Sequence, residues 1–488
     1  MTKMMRAAAS RSLVAVLLVL VGLAGCAQIP ESASGAPEPA VKFTETAPER
    51  APVWAEQGWW KGFGSPQLNQ LIAQAETGSF DIQAAIARIQ QADAQLVISG
   101  ASLLPSLNGS ADSKWQRSYS NGSVFTGRSR YVDSRSSAIA ASASYDLDIW
   151  GKIAAGRDAA LASAIYARAE RDTVALDTIA AIATTWFTAS AYQDRIAVSR
   201  RNLADAEEIL RAIRARREAG TASDLDVSQQ EALVAGVRAG IPALQSNVSS
   251  NLYALSVLVG STPEKLHLQA ATLLGLSMPD VAPGLPSELL HRRPDIAAAE
   301  AQLEAARANV RVARAALYPD VSLTGSGGLS NASVARLFGP TSLLASLAAN
   351  VTQTIFDNGA LQGQVTLNEG KRDELVADYR KSIVQAFADV ETALAQYRNA
   401  TEQERLEAQA VEVAQRAANI SRQQMLAGTN DIVTALQTQQ TLFNDIDNLA
   451  QVRLSRVNAL VALYKALGGG WNVQLIIPPE THLFQGVL

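Results

Sequence analysis

Gly220-Thr221-Ala222-Ser223-Asp224-Leu225-Asp226 and Gly428-Thr429-Asn430-Asp431 are two versions of one short stretch, set 208 residues apart, with Gln229 and Gln437 in register behind them. The same offset links Gly151 with Gly359 and Gly260 with Gly468, so the glycine intervals are 69 and 40 residues in both halves. Upstream, Asp81-Ile82 runs 24 residues to Pro105, and Asp295-Ile296 runs 24 residues to Pro319. A unit near 200 residues is far longer than the roughly 20–50 residue period of a solenoid. The chain is one large structural unit, duplicated.

Each copy holds a proline-free stretch, residues 152–219 and 360–427. At 1.5 Å per residue, such a helix reaches about 100 Å, against an average globular helix of about 11–12 residues. The apolar steps fit coiled packing. Ile383, Phe387, Val390, Leu394 and Tyr397 advance by 4, 3, 4, 3, and Val234, Val237, Ile241, Leu244 and Val248 by 3, 4, 3, 4. That is a heptad seam. Shorter helical segments at 81–104 and 222–259 recur at 295–318 and 430–467. Their summed length matches the long helix, which predicts that each pair stacks end to end beside it. Gly220-Thr221 and Gly428-Thr429 then become tight turns at one far end, where glycine ends a helix in the left-handed conformation. Pro242 is expected to kink its helix.

Between the helices, at 105–148 and 319–356, the period changes to two. Asn108, Ser110 and Asp112 alternate with Leu107, Gly109 and Ala111, and Leu343, Ala345 and Leu347 alternate with Ser342, Ser346 and Asn350. Polar loops at Tyr119–Arg135 and Ser330–Thr341 are expected between paired strands. Strands of about 9–11 residues with one apolar and one polar face suit a transmembrane β-barrel with a wet lumen. A soluble sandwich alternates equally well. If the strands cross a membrane, four cannot close a barrel and open edges do not occur in lipid, so several protomers must share one. Gly325-Ser326-Gly327-Gly328 sits within a strand-like stretch and reads as a β feature rather than a phosphate cradle.

The N-terminus carries Lys3, Arg6 and Arg11 and a short apolar run, Leu13–Leu23, ending in Leu23-Ala24-Gly25-Cys26. This resembles a bacterial lipobox, in which the cysteine becomes lipid-modified after cleavage. An ordinary signal peptide with an incidental cysteine is the alternative. Cys26 is the only cysteine, which excludes disulfides and thiolate metal sites. Ala27 in place of aspartate resembles sorting to the outer membrane. Residues 27–58 are rich in Pro, Ala, Ser and Glu and read as an extended tether. Loss of residues 1–25 removes three basic residues and no acid, taking the net charge from −4 to −7. That argues against a nucleic-acid partner. His267, His291 and His482 lack ligand spacing, and no phosphate loop, nucleophile elbow or paired catalytic motif is present. Neither an enzyme nor a cofactor is expected.

Several stretches together look like the lipoprotein branch of the TolC-like outer-membrane efflux family. They are Trp59-Trp60-Lys61-Gly62-Phe63-Gly64, Leu289-Leu290-His291-Arg292-Arg293-Pro294-Asp295, Ala316-Leu317-Tyr318-Pro319-Asp320, Ile241-Pro242-Ala243-Leu244 and Leu463-Tyr464-Lys465-Ala466-Leu467-Gly468-Gly469-Gly470-Trp471. The resemblance implies a mixed, mostly α fold. A homotrimer would form a twelve-stranded transmembrane β-barrel, four strands per chain, continued by a long periplasmic α-helical barrel. It also implies two structural repeats per chain, a periplasmic adaptor and an inner-membrane pump, often of the resistance-nodulation-division class. Function would be passive export of drugs and other small molecules. The division expected is a signal peptide at 1–25, a lipid-anchored tether at 26–58, a first repeat at 59–260 and an equatorial segment at 261–294. A second repeat at 295–468 and a tail at 469–488 complete it.

Carried over by position, Gly220, Thr221, Ser223, Leu225 and Asp226 on one tip, and Gly428 and Thr429 on the other, match the region that meets the adaptor. The tip aspartate usual in the family falls at Asn430 here, with Asp431 beside it. Leu426, Asn430 and Asp431 are therefore the gate candidates, although Asp431 equally suits a helix cap. Trp59, Trp60 and Trp471 read as packing residues. A lipid-anchored coiled-coil scaffold or adaptor without a pore explains Cys26 and the heptads but not two matched strand pairs. A type I protein-secretion duct is a further alternative.

Overall fold

A computed structural model describes residues 54–120, 130–266, 272–279 and 286–471. The signal segment, Cys26, most of the tether, His267 and His482 lie outside the described residues.

Ser65 caps a helix that opens on Pro66, its hydroxyl accepting from the Leu68 amide, and α1 runs Pro66–Gly78. A capping serine followed by proline is an ordinary helix start, yet this helix was not anticipated. It is followed by α2 (Phe80–Ala101), β1 (Ser106–Ser120), β2 (Arg130–Leu147), α3 (Lys152–Glu218) and α4 (Asp224–Val259). The second copy gives α5 (Pro294–Ala315), β3 (Asp320–Asn331), β4 (Leu343–Thr352), α6 (Ala360–Leu426) and α7 (Ile432–Ala466). The two long helices have 67 residues each, about 100 Å. Helix α4 continues unbroken through Pro242. The strands differ from expectation in length, since β1 and β2 extend through much of the presumed loop, to Ser120 and from Arg130.

Both long helices begin at the same device. Asp148 accepts from the amides of Ile153 and Ala154 at 2.9 and 2.8 Å, and Asp357 accepts from those of Gly359 and Leu361 at 2.9 and 2.7 Å. Each carboxylate neutralises the positive helix end. Those backbone N–H groups hold the Asp357 carboxyl below its ordinary pKa. The paired short helices abut. A Cβ on Gly260 would stand 2.0 Å from the Gly78 carbonyl, and one on Gly468 would stand 1.8 Å from the Arg292 carbonyl. Only glycine fits these joints.

Four helical rods result, in the order α2 with α4, then α3, then α5 with α7, then α6. The sheet order is β1-β2-β3-β4, antiparallel throughout. Strand and rod orders coincide, because each strand joins the rod below it. Trp150 ties the two copies at the junction, donating to the Pro319 carbonyl at 2.8 Å and stacking on Tyr318 at 4.8 Å. The main core lies at mid-height of the rods. Trp59, Phe63, Leu68, Ile72, Trp186 and Phe187 from the first copy meet Leu289, Ile383, Val390, Leu460 and Tyr464 from the second. Trp59 stacks on Tyr464 at 4.8 Å and Trp60 is buried. The Trp471 indole donates to Asp172 at 2.8 Å. These are the packing roles expected for the tryptophans.

The register puts every apolar set on one face. Leu107 pairs with Ala143, Ala143 with Gly325, and Gly325 with Leu347, while Ile139 pairs with Leu329 and Leu329 with Leu343. Directly paired residues share a face. The other face carries Asn108, Ser110, Ser142, Ser144, Thr324, Ser326, Ser346 and Asn350. Gly328 belongs to the sheet, where a Cβ would meet the Ile139 carbonyl at 2.4 Å, so it is a close strand contact and not a phosphate loop.

Candidate channel gate

The two helical turns are built alike. Gly220 (φ 74°) and Gly428 (φ 73°) take the left-handed conformation. The Gly220 and Thr221 amides donate to the Arg217 and Arg216 carbonyls, and the Gly428 and Thr429 amides to those of Met425 and Gln424. This is the Schellman arrangement. Each threonine hydroxyl donates to the same carbonyl as its own amide, at 3.0 and 3.1 Å. Nothing lies near a Cβ at either glycine, so the glycines are there for φ and not for space.

The caps differ. Ser223 and Asp226 form a reciprocal box, the Ser223 amide donating to Asp226 at 2.8 Å and the Asp226 amide to the Ser223 hydroxyl at 3.2 Å. Among the described residues the Asp431 carboxylate accepts only from the Val433 amide, at 3.2 Å. The Asn430 side chain reaches back to the Ser421 hydroxyl on α6 at 3.0 Å, and its own oxygen accepts from the Asp431 amide. Asp431 is thus a helix cap whose carboxylate remains exposed to solvent. Leu225 and Leu426 are exposed large apolar residues at the ends of their helices.

The cross-links also differ. Helix α3 is tied to its own partner α4 by Arg217–Asp224, Arg214–Glu231 and Arg238–Glu207, at 2.7, 2.7 and 2.5 Å. Fully buried Gln230 adds a hydrogen bond to the Ala206 carbonyl at 2.7 Å. Near the second tip the links run across to the first hairpin instead. Arg422 on α6 meets Glu208 on α3 at 2.6 Å, and Arg216 on α3 donates to the Met425 carbonyl at 3.1 Å. A small apolar cluster of Ile209, Ile213, Met425, Ile432 and Ala435 lies beneath them. Sequence reading missed the links of Glu208 with Arg422 and of Arg216 with Met425, because partners in different copies leave no local pattern.

At its base the second hairpin is clamped. Arg293 donates to Asp295 at 3.0 and 2.6 Å and to Asp389 on α6 at 3.0 Å. Burial alone would depress the guanidinium pKa, but the two carboxylates more than offset it and hold it above the ordinary value. Among the described residues no group of His, Cys, Asp and Glu is arranged to hold a metal.

The outer membrane efflux protein family model matches residues 71–261 and 285–469, two blocks that follow the two copies. The chain belongs to the outer membrane efflux protein family. Within it, the pyoverdine export outer membrane protein OpmQ of Pseudomonas putida is 37% identical, over 93% of this chain and 96% of the relative. The probable efflux pump outer membrane protein TtgC of the same species is 31% identical, over 95% and 97%. The solved structure of the outer-membrane channel OprN superposes with a TM-score of 0.84 at 26% identity, covering 90% of this chain and 99% of that one. The family is one of transport channels.

Proposed function

We propose that this chain is the outer-membrane channel of a tripartite efflux pump, a passive trimeric duct opened at its periplasmic tip. The observation that supports it most is that sheet and rods share one order and end on the same two unpaired edges. Strand β4 is exposed along its whole length, with Leu343, Leu347 and Val351 on the apolar face. Beneath it, α6 exposes Leu406, Val413 and Ile420 at seven-residue intervals, a seam awaiting another helix. Three chains joined edge to edge would close both layers at once. The apolar face meets lipid and the Ser/Thr-rich face lines a wet path. Unclosed edges at membrane depth would be untenable, which disfavours a pore-less scaffold.

No chemistry is required of such a duct. Its gate would be the second hairpin, α6 and α7, swinging from the first once Arg422–Glu208 and Arg216–Met425 part. Three copies of Asp431 would ring the mouth, favour cations and repel one another. Gly220, Thr221, Ser223, Leu225, Asp226, Gly428 and Thr429 form the exposed tips to which a periplasmic adaptor would dock. An inner-membrane pump of the resistance-nodulation-division class would drive cargo. Relatives named for pyoverdine export and for efflux of toluene, solvents and antibiotics support small molecules as the cargo, and the polar lumen suits soluble ones. Cys26 would anchor each chain to the outer membrane through lipid. The test is fractionation of the Cys26→Ser protein. A trimer that stays with outer-membrane porins and conducts ions in a planar bilayer supports the duct, whereas release into the soluble periplasm overturns it.

A further inference from the structure

We propose that the outer face of the β1–β2 extension binds the phosphorylated sugar headgroups of the glycolipid in the outer leaflet. The inference rests on the reading of the sheet as part of an outer-membrane barrel.

Strand β4 stops at Leu343, level with Ile139 and Ala111, and β3 stops two residues higher at Asn331, level with Ser137 on β2 and Ser113 on β1. Beyond that level β1 and β2 continue as a two-stranded ribbon for seven further pairs, from Lys114↔Ser136 to Ser120↔Arg130. At about 3.4 Å per residue this is about 24 Å of ribbon. The apolar band below it, Val321 to Leu329 on β3, runs about 27 Å along the strand, enough for the hydrocarbon layer of an outer membrane. The ribbon therefore rises where headgroups lie.

Its two faces differ in kind. Parity carries the lipid-facing side upward from Leu107 and Ala111 to Trp115, Arg117 and Tyr119, paired with Arg135, Asp133 and Tyr131. The lumenal side, Lys114, Gln116, Ser118, Ser134 and Ser136, holds no aromatic residue. On the outward side Arg117 grips Asp133 through two hydrogen bonds of 2.7 and 2.9 Å and lies 5.5 Å from the Trp115 ring. Tyr119 and Tyr131 pack edge to face at 5.1 Å. Arg135 is exposed and forms no hydrogen bond or ion pair among the described residues. Two guanidiniums against one carboxylate leave net positive charge. Guanidinium forks suit phosphate, and Trp and Tyr rings suit the interface between acyl chains and water. Cargo passes on the other face, and no strand of a neighbouring copy reaches this height, since β4 ends below it.

The purified full-length trimer in detergent would be titrated with bisphosphorylated lipid A and with the same lipid stripped of both phosphates. The phosphorylated form should bind at least about tenfold tighter, and Arg135→Gln should cost about fivefold for that form alone. Arg117→Gln/Arg135→Gln should cost about thirtyfold. Trp115→Ala should weaken both lipids, and lumenal Lys114→Gln should weaken neither. Equal affinity for the two lipids, or full affinity in Arg135→Gln, overturns the inference. Conduction by the wild-type trimer is scored separately, so a conducting trimer indifferent to phosphate defeats this inference and leaves the duct standing.

Discussion

The two hairpins share turns, lengths and glycines, and differ in what holds them. The first is zipped within itself by three ion pairs and a buried glutamine. Among the described residues the second has no ion pair within itself near its tip, only the Asn430–Ser421 hydrogen bond, and is fastened to the first by Arg422–Glu208 and Arg216–Met425. Their bases differ as well. The N-cap of α5 is Arg293, bound to Asp295 and Asp389, whereas the matching N-cap of α2 is Ser79, whose buried hydroxyl has no partner among the described residues. If the second hairpin is the gate proposed above, the duplicated unit has become a post and a lever. The lever is pinned at its base and loosely tied at its tip.

Removing the pin should have the largest effect. Arg293→Ala leaves two carboxylates without their cation. Breaking a buried pair costs about 3–5 kcal/mol. The carboxylates here are about one-third exposed, which reduces the expected loss to about 2 kcal/mol. Thermal unfolding of the trimer reads it, and Ser79→Ala should cost much less. If the two variants melt alike, the bases do not differ as described.

The Asp431 cap comes next. Asp431→Ala should destabilise the α7 start by about 1 kcal/mol, read by local hydrogen exchange. Asp431→Asn keeps an acceptor for the Val433 amide and removes only the charge. A change in cation preference with Asp431→Asn, at unchanged exchange, assigns the charge to the gate. An unchanged single-channel record removes it.

A smaller effect sharpens the mid-height contact between copies. Burial holds the Asp172 carboxyl above its ordinary pKa, partly opposed by the Trp471 indole and Arg171. Between the ordinary pKa and this raised one, the folded chain keeps a proton that the unfolded chain has lost. Stability therefore falls as pH rises through that window. Asp172→Asn, which can still accept from Trp471, should be the more stable protein at neutral pH, with the advantage vanishing in acid. Parallel melting curves at every pH would contradict this.

Much of the fold was legible because its punctuation is chemical. Gly151, Gly220, Gly359 and Gly428 sit at left-handed positions, and only a short list of residues tolerates them, so the long helices could be bounded to within about one residue. Strand alternation was equally readable, since each strand separates lipid from water. The first helix was passed over because Ser65-Pro66 starts no repeat in the second copy. The ends of β1 and β2 were hidden because Asp133, Ser134 and Arg135 resemble loop residues until their pairing places them on a ribbon. Of the proposed gate, only the turns were legible. Glu208 and Arg422 belong to different copies, and nothing in either neighbourhood marks the other.

The most direct test of the post and lever is the resting conductance of the trimer with one set of ties cut at a time. Glu208→Gln/Arg216→Gln/Arg422→Gln frees the second hairpin. The Arg422–Glu208 ion pair and the Arg216–Met425 hydrogen bond are each worth about 1 kcal/mol, and cutting both should raise open-channel conductance events several-fold. Arg214→Gln/Arg217→Gln/Arg238→Gln unzips the first hairpin within itself and should leave the record near wild type. Equal leakage from the two triple variants, or leakage only from the second, would contradict the account.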